Sequence, residues 1–450
     1  MSVPLPPAFE KSGTLPSSAE QRNTAWDDVE RMIGVDDALE RILASFVPLA
    51  TEILPLLAAR DRVLAKSIES TENIPPFTNS AMDGYAVRAT DTTGASVPAP
   101  VRLRVVAELA AGAAPRREHV VESGCAVRIM TGAPLPPGAD AVIRFEETNE
   151  FAHPSGDYGR AGQQIEITRA ATPWDNVRAA GEDIGQGSLV LEKGTVLRPA
   201  GMGLLASVNR ATVEVYRQPR VAILSTGNEV IDLGAPLRPG QIRDSNSYTL
   251  AAMVAEAGGA PILLGTAPDD LTALTSTLEQ ARGGRFDLIL TSGGVSLGDY
   301  DMVKDALQAG GAISLWQVRM KPGKPLAFGQ IHQTPLLGLP GNPVAAAVSF
   351  LQFGRPAIRK MLGHERLTLM TIQATLAHPI NNRGKRRHYV RARYDSDSTG
   401  GYTVCAVGEQ GAGVLSSLAQ ANGLLVIPEE VDEADAELLC EVQVLPGSFN

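Results

Sequence analysis

Cysteine and histidine are both scarce in this 450-residue chain, at three and six residues. Cys125, Cys405 and Cys440 are odd in number, far apart and without paired spacing. That argues against a disulfide framework and a zinc site, and for inert, buried thiols in a reducing cytoplasm. The histidines are scattered and form no HExxH, which weakens transition-metal ligation and histidine-based nucleophilic catalysis. GxxxxGKS/T is missing throughout, as is GxGxxG after a strand, so a P-loop and a Rossmann dinucleotide site are disfavoured. No apolar run reaches the about 18 residues that a membrane span needs. The opening MSVPLPPAFEKSGTLPSSAEQRNT lacks the apolar centre of a secretory signal, and residues 1–34 are expected to form a loosely ordered tail.

What is present is a core-forming composition: 44% hydrophobic and 20% charged residues, in a chain long enough for two to four domains. The net charge of −10 argues against broad binding to nucleic acid or to an anionic membrane. Two basic islands interrupt this acidity, MKPGKP (Met320–Pro325) and NRGKRRHYVRAR (Asn382–Arg393), and they suit a small anionic ligand better than a polymer.

The text changes character along the chain. VDDALERILASF puts Val35, Ala38, Leu39, Ile42, Leu43 and Phe46 on one helical stripe, and a second helical stretch is predicted over Ala59–Ser67. Between Val101 and Thr168, short alternating runs broken by GAPLPPGAD read as a β-rich module. From Arg220, strands such as RVAIL, PILLG and DLILT alternate with helical segments, among them LTALTSTLEQAR and DMVKDALQAG. That order predicts a mostly parallel sheet covered on both faces. From Thr368 the chain is again β, with HYVRARY and YTVCAV as clear strands.

Ligands of an open α/β sheet bind beyond the carboxyl ends of its strands. Three strands here end in AILSTGNEV, LILTSGGVSLGDYD and LLGLPGNPV, each offering small residues with accessible amides. In the third, Asn342 is placed to cap a helix that opens on Pro343 and to leave free amides facing an anion. The remaining chemistry is carried by carboxylates: Asp83, Asp183, Glu229, Asp244, Asp269, Asp299 and Asp301. Acids beside a phosphate loop suit Mg2+, which binds one or two carboxylates together with phosphate oxygens.

Read in order, IPPFTNSAMDGYAVR, RIMTGAPLPPGADAVIRFE, VRAAGEDI, ILSTGNEV, GQIRDSNSY, TSGGVSLGDYD, MKPGKPLAFG and GLPGNPVAAAVSF closely resemble the MoeA family of molybdopterin molybdenumtransferases. The family is related to the E domain of gephyrin, and the likeness runs from about Val35 to the C-terminus.

The resemblance implies a multidomain α/β plus β architecture. A connecting helical and extended domain would span 35–70 and 172–217, and an inserted β-rich domain 71–171. A MogA-like doubly wound α/β domain would span 218–363 and a C-terminal β-barrel 364–450. It further implies a cytoplasmic homodimer whose active site is shared between subunits. There, Mg2+-dependent cleavage of adenylylated molybdopterin would be coupled to insertion of molybdate into the dithiolene, with release of AMP. An upstream MogA-type adenylyltransferase and downstream molybdoenzymes would be its partners.

Carried over motif by motif, Asp83, Thr131, Asp183, Glu229 and Asp301 fall on catalytic positions. Ser292, Gly293, Gly294, Lys321, Lys324, Pro340, Asn342, Arg386 and Arg387 fall on substrate-binding positions, with Arg391 nearby. Glu229, Asp269 and Asp301 would hold Mg2+. Thr78, Asn228 and Gln317 depart from the common family pattern. A tungsten-inserting paralogue, a MogA-type adenylyltransferase and a gephyrin-like scaffold are the alternative readings.

Overall fold

The structure is a computed structural model that describes residues 32–152, 160–268, 286–294, 313–331, 333–396 and 400–447. The chain divides into two compact units, Ile53–Val215 and the remainder on either side of it. Nearly all of the expected tail, the helices expected over LTALTSTLEQAR and DMVKDALQAG, and Asp269, Asp299 and Asp301 lie outside the described residues. Among the described residues no helix is long and apolar enough to cross a membrane.

Helix α1 (Val35–Leu43) forms where the stripe predicts it, burying Val35, Ala38 and Ile42. Asp36 and Asp37 sit in its first turn and Arg41 in its last, each favourable to the helix dipole. The chain around its C-terminal end is bonded to the α/β domain: Lys360 Nζ donates to Leu43 O at 2.8 Å and Leu49 N to Met361 O at 2.8 Å. This helix, expected in the connecting domain, therefore belongs to the same compact unit as the α/β domain.

Within Ile53–Val215, strands β1 (Gly84–Val87), β2 (Val101–Leu109), β3 (Cys125–Ile129), β4 (Ala141–Arg144) and β5 (Gln164–Ile167) make one sheet in the order β4-β1-β3-β2-β5. Successive side chains alternate between its faces. Tyr85 and Val87 pack with Leu103, Val105 and Ile143 on one face, whereas Ala86 packs with Leu109, Val127, Ile129 and Val142 on the other.

The helix predicted over Ala59–Ser67 is not formed. A single 3-10 turn at Leu56–Ala59 gives way to extended chain. The amides of Asp61, Leu64 and Ala65 are taken by the carbonyls of Leu197, Thr195 and Glu214, so tertiary pairing outcompetes the helical ladder. Leu64 then packs with Ala59, Leu197, Leu205 and Val215 in a separate core that includes helix α2 (Pro199–Ser207).

The other unit holds β6 (Arg220–Thr226), α3 (Asn246–Glu256), β7 (Ala260–Ala267), β8 (Leu288–Ser292), β9 (Ile313–Gln317), β10 (Met320–Lys321), β11 (Pro325–Ile331) and β12 (Thr334–Leu339). Six of these strands form one sheet in the order β7-β6-β8-β12-β11-β9. The first four run parallel, while β11 and β9 are antiparallel additions at one edge. Val221–Leu224 and Leu288–Leu290 are buried without a break, as strands covered on both faces must be. Helix α4 (Pro343–Ser349) continues through a π-turn into α5 (Arg355–Met361).

The C-terminal strands β13 (Thr371–Leu376), β14 (Arg387–Ser396), β15 (Tyr402–Ala406), β16 (Gly423–Ile427) and β17 (Leu439–Val444) pair in the order β14-β15-β13-β17-β16. Pairing of β16 back onto β14 closes them into a five-stranded barrel, with α6 (Leu415–Gln420) alongside. Val390, Ala392 and Tyr394 fill its core at alternate positions.

Candidate active site

The ends of β6, β8 and β12 are stitched together. Gly293 N donates to Leu339 O at 3.1 Å and Thr226 Oγ1 to Ser292 O at 3.4 Å. Gly293 has φ +93°, and a Cβ there would lie 2.8 Å from Thr226 Oγ1, so only glycine lets these loops approach so closely. Asn246, at the start of α3, ties the second and third loops by donating from Nδ2 to Ser292 Oγ at 2.6 Å and to Gly341 O at 2.7 Å. Its Oδ1 is buried with no partner among the described residues. Ser292, Gly293, Pro340 and Asn246 thus converge, whereas Gly294, also at positive φ, begins the exit from β8. Sequence reasoning did not single out Asn246, although it lies inside the quoted GQIRDSNSY motif.

Two expectations about this region are corrected. Asn342 stands at the N-cap of α4 without a side-chain cap bond, and the amide of Val344 is already donated to Ala412 O at 3.0 Å. That amide is not free for an anion. Asp244 is 3% exposed and accepts from Ser225 Oγ and Ser247 N, both at 3.0 Å. It closes the first turn of α3 and is a structural acceptor rather than a candidate metal ligand.

Glu229 is exposed, and its carboxylate lies over Gly227; a Cβ on that glycine would come within 2.8 Å of both oxygens. Among the described residues no group of three or more histidine, cysteine, aspartate or glutamate side chains could hold a metal ion. The donors present do fit Mg2+ in kind: the Glu229 carboxylate and the unpartnered Asn246 Oδ1 are hard oxygens at the strand ends, and the remaining ligands would come from phosphate.

The two basic islands, remote in sequence, meet in space. Met320 and Lys321 of β10 pair in parallel with Arg387 and His388 at the start of β14. Lys321 is half-buried, and its ammonium is held below the usual lysine range by burial and then by the charges of Arg386 and Arg391. Arg391 is fully buried. Its Nε donates to Ser417 Oγ at 3.1 Å and Nη2 to the carbonyls of Glu409 and Gly411, each at 3.1 Å. Its Nη1 has no partner among the described residues, and neither do the ring nitrogens of His388 or the hydroxyl of Ser349. The Lys321–Lys324 turn abuts Ser349, since a Cβ on Gly323 would lie 2.5 Å from the serine Oγ.

Lys321, Arg386 and Arg391 form no ion pair among the described residues. Arg387 differs: it donates from Nη1 and Nη2 to Asp36 at 2.9 and 2.8 Å and from Nε to Glu429 at 3.1 Å. Its charge is matched within the protein, which argues against its expected role as an anion ligand, whereas Lys321, Arg386 and Arg391 have no such match among the described residues.

In the Ile53–Val215 unit, Asp83 Oδ1 accepts from Thr131 N at 2.7 Å and from Thr131 Oγ1 at 2.8 Å, so MDGY and IMTGA form one exposed constellation. Those two bonds hold the carboxyl below the usual aspartate range. Beneath it, Arg128 of β3 donates to Glu108 and Glu150, each at 3.0 Å, and Tyr85 OH bonds Glu150. Asp183 is exposed on the turn after Gly181, its amide bonded to Ile74 O at 3.0 Å.

Glycine loops at parallel strand ends, a partly buried cationic cluster beside a small barrel, and a separate β-rich unit with an acid–hydroxyl pair mark a multidomain α/β plus β protein. Comparison with known proteins gives the family. Residues 33–209 match the MoeA N-terminal region (domains I and II), 222–360 a probable molybdopterin-binding domain, and 373–445 the MoeA C-terminal region (domain IV). A protein of Mycobacterium tuberculosis named molybdopterin molybdenumtransferase 2 is 40% identical over 88% of this chain and 96% of its own length. A molybdopterin molybdenumtransferase of Nostoc is 39% identical over 84% and 85%. The crystal structure of a molybdopterin biosynthesis MoeA protein from Pyrococcus horikoshii superposes with a TM-score of 0.76 at 31% identity, covering 92% of this chain and all of that one. The chain belongs to the MoeA family and is an enzyme of the transferase class.

Proposed function

We propose that the chain is a molybdopterin molybdenumtransferase that cleaves adenylylated molybdopterin with Mg2+, inserts molybdate into the dithiolene and releases AMP. The observation that carries this reading is the cationic cluster of Lys321, Arg386 and Arg391, buried or half-buried and without an internal counter-ion among the described residues. Uncompensated buried cations with orphaned donors are costly, and a small tetrahedral dianion such as molybdate satisfies both deficits.

Each part has a role in this reading. Lys321 and Arg391 hold oxyanion oxygens, with Ser349 available as a further donor. The Ser292–Gly294 turn, braced by Asn246, receives the phosphate at the strand ends. Mg2+ at Glu229, with Asp269 and Asp301, would supply charge neutralisation between those acids and the phosphate. Asp83 has committed Oδ1 to Thr131, which leaves Oδ2 to orient water. A carboxyl held in the ionised form is a poor proton acceptor, so its part is to steer rather than to deprotonate.

The cytoplasmic homodimer with a shared site, the MogA-type adenylyltransferase upstream and the molybdoenzymes downstream belong to the same proposal, supported by the family membership. Subunit mixing tests it. Asp83→Ala and Glu229→Ala are each expected to release almost no AMP from adenylylated molybdopterin. If the two residues serve one site from different subunits, mixed dimers recover about a quarter of wild-type activity, because half of randomly mixed dimers carry one intact site of two. Normal AMP release by Glu229→Ala would remove that residue from the chemistry, and no recovery on mixing would remove the shared site.

A further inference from the structure

His388 is 4% exposed, yet neither Nδ1 nor Nε2 has a hydrogen-bond partner among the described residues. Buried polar groups are almost always satisfied, so an imidazole orphaned at both nitrogens indicates a missing ligand. Its surroundings say which sign of charge is missing. Lys321 is its register partner across β10 and β14, and laterally paired residues of adjacent strands project to the same face of the sheet. Its antiparallel partner on β16 is Ile427, which carries no charge. Arg386, just before its strand, and Arg391, three residues further along it, add two more cations, while the nearby acids Asp36 and Glu429 are bonded to Arg387. Burial first, then these three cations, push the imidazole down to about 3, so it stands neutral at any ordinary pH.

We propose that His388 is a proton-linked ligand of the oxyanion, neutral among the cations alone and protonated when a tetrahedral dianion sits beside Lys321. This rests on the reading of the Lys321–Arg391 cluster as an oxyanion site. An opposite charge in contact raises the pKa of a facing base by about 1–3 per charge, and a dianion also gives the imidazolium N–H an acceptor. The proton comes from solvent, and no covalent bond is made or broken. Such linkage makes affinity rise as pH falls, by up to about tenfold per pH unit between the free and bound pKa values.

Calorimetric titration of the full chain with sodium molybdate, in two buffers of different ionisation enthalpy at about pH 7 to 8.5, tests this directly. The expected result is net proton uptake on binding, a fraction of a proton up to about one per molybdate at the acid end of that range and falling towards its alkaline end, with an affinity that weakens as pH rises. His388→Gln keeps a hydrogen-bond donor but cannot titrate, and is expected to bind molybdate with neither proton uptake nor pH slope. Proton uptake that persists in His388→Gln places the proton on Lys321 and overturns the proposal. Wild-type binding without proton uptake also overturns it while leaving the oxyanion site intact. Failure of the folded wild-type chain to bind molybdate at all overturns the oxyanion site itself.

Discussion

Gly84→Ala is expected to prevent the Ile53–Val215 unit from folding. Strand β1 runs between β3 and β4, with Gly84 opposite Ile129 on one side and Arg144 on the other. A Cβ at this position would lie 1.9 Å from Ile143 O, 2.8 Å from Ile143 C and 3.0 Å from Arg144 Cα. All three are backbone atoms of a paired strand, so no rotamer change relieves the clash. Either β1 separates from β4 or the sheet distorts through both of its buried faces. The cost is upwards of about 4 kcal/mol, the range in which single substitutions unfold domains. Gly94→Ala is the matched control, because Gly94 has φ +80° with open space around it and should lose only about 1 kcal/mol. Circular dichroism melts of the two variants check the difference; a Gly84→Ala protein that melts with the wild type contradicts the packing described for β1.

Arg391→Met has the second-largest expected effect, on stability and ligand binding together. The substitution keeps most of the apolar stem but deletes three hydrogen bonds, to Ser417 Oγ, Glu409 O and Gly411 O. These acceptors lie around a fully buried side chain, and leaving them unpaired costs about 2–5 kcal/mol in total. The same change removes the Nη1 donor, and molybdate binding should weaken by at least about tenfold to a hundredfold. Arg391→Lys restores the charge without the planar fork, so it should recover part of the affinity and little of the stability. Urea unfolding and molybdate titration of the two variants separate these contributions. Unchanged molybdate affinity in a folded Arg391→Met protein would take Arg391 out of the oxyanion site.

Strands such as RVAIL and DLILT were legible because a strand buried on both faces must be written as a continuous apolar run. The strand-end loops were legible because glycine beside serine or threonine at such a position restricts what the backbone can do. Ala59–Ser67 was not legible: its residues carry a helical spacing, but their amides are claimed by Leu197, Thr195 and Glu214, far along the chain. The meeting of Lys321 with His388 was hidden for the same reason, since a parallel pairing between remote segments leaves no local mark. Within GKRRHYVRAR the arginines look alike, and what separates Arg387 from Arg391 is Asp36, supplied by α1. Asp244 shows the converse difficulty: an acid beside serine and asparagine reads the same whether it binds a metal or closes a helix turn.

The central claim is that the chain couples adenylate cleavage to molybdate insertion, and cofactor reconstitution with purified components tests it most directly. Wild-type protein is supplied with adenylylated molybdopterin, Mg2+ and molybdate, and released AMP and pterin-bound molybdenum are quantified together. The account predicts stoichiometric AMP and molybdenum-loaded pterin, with both lost when molybdate or Mg2+ is withheld. Unaltered adenylylated molybdopterin after incubation with folded protein and both ions would contradict it.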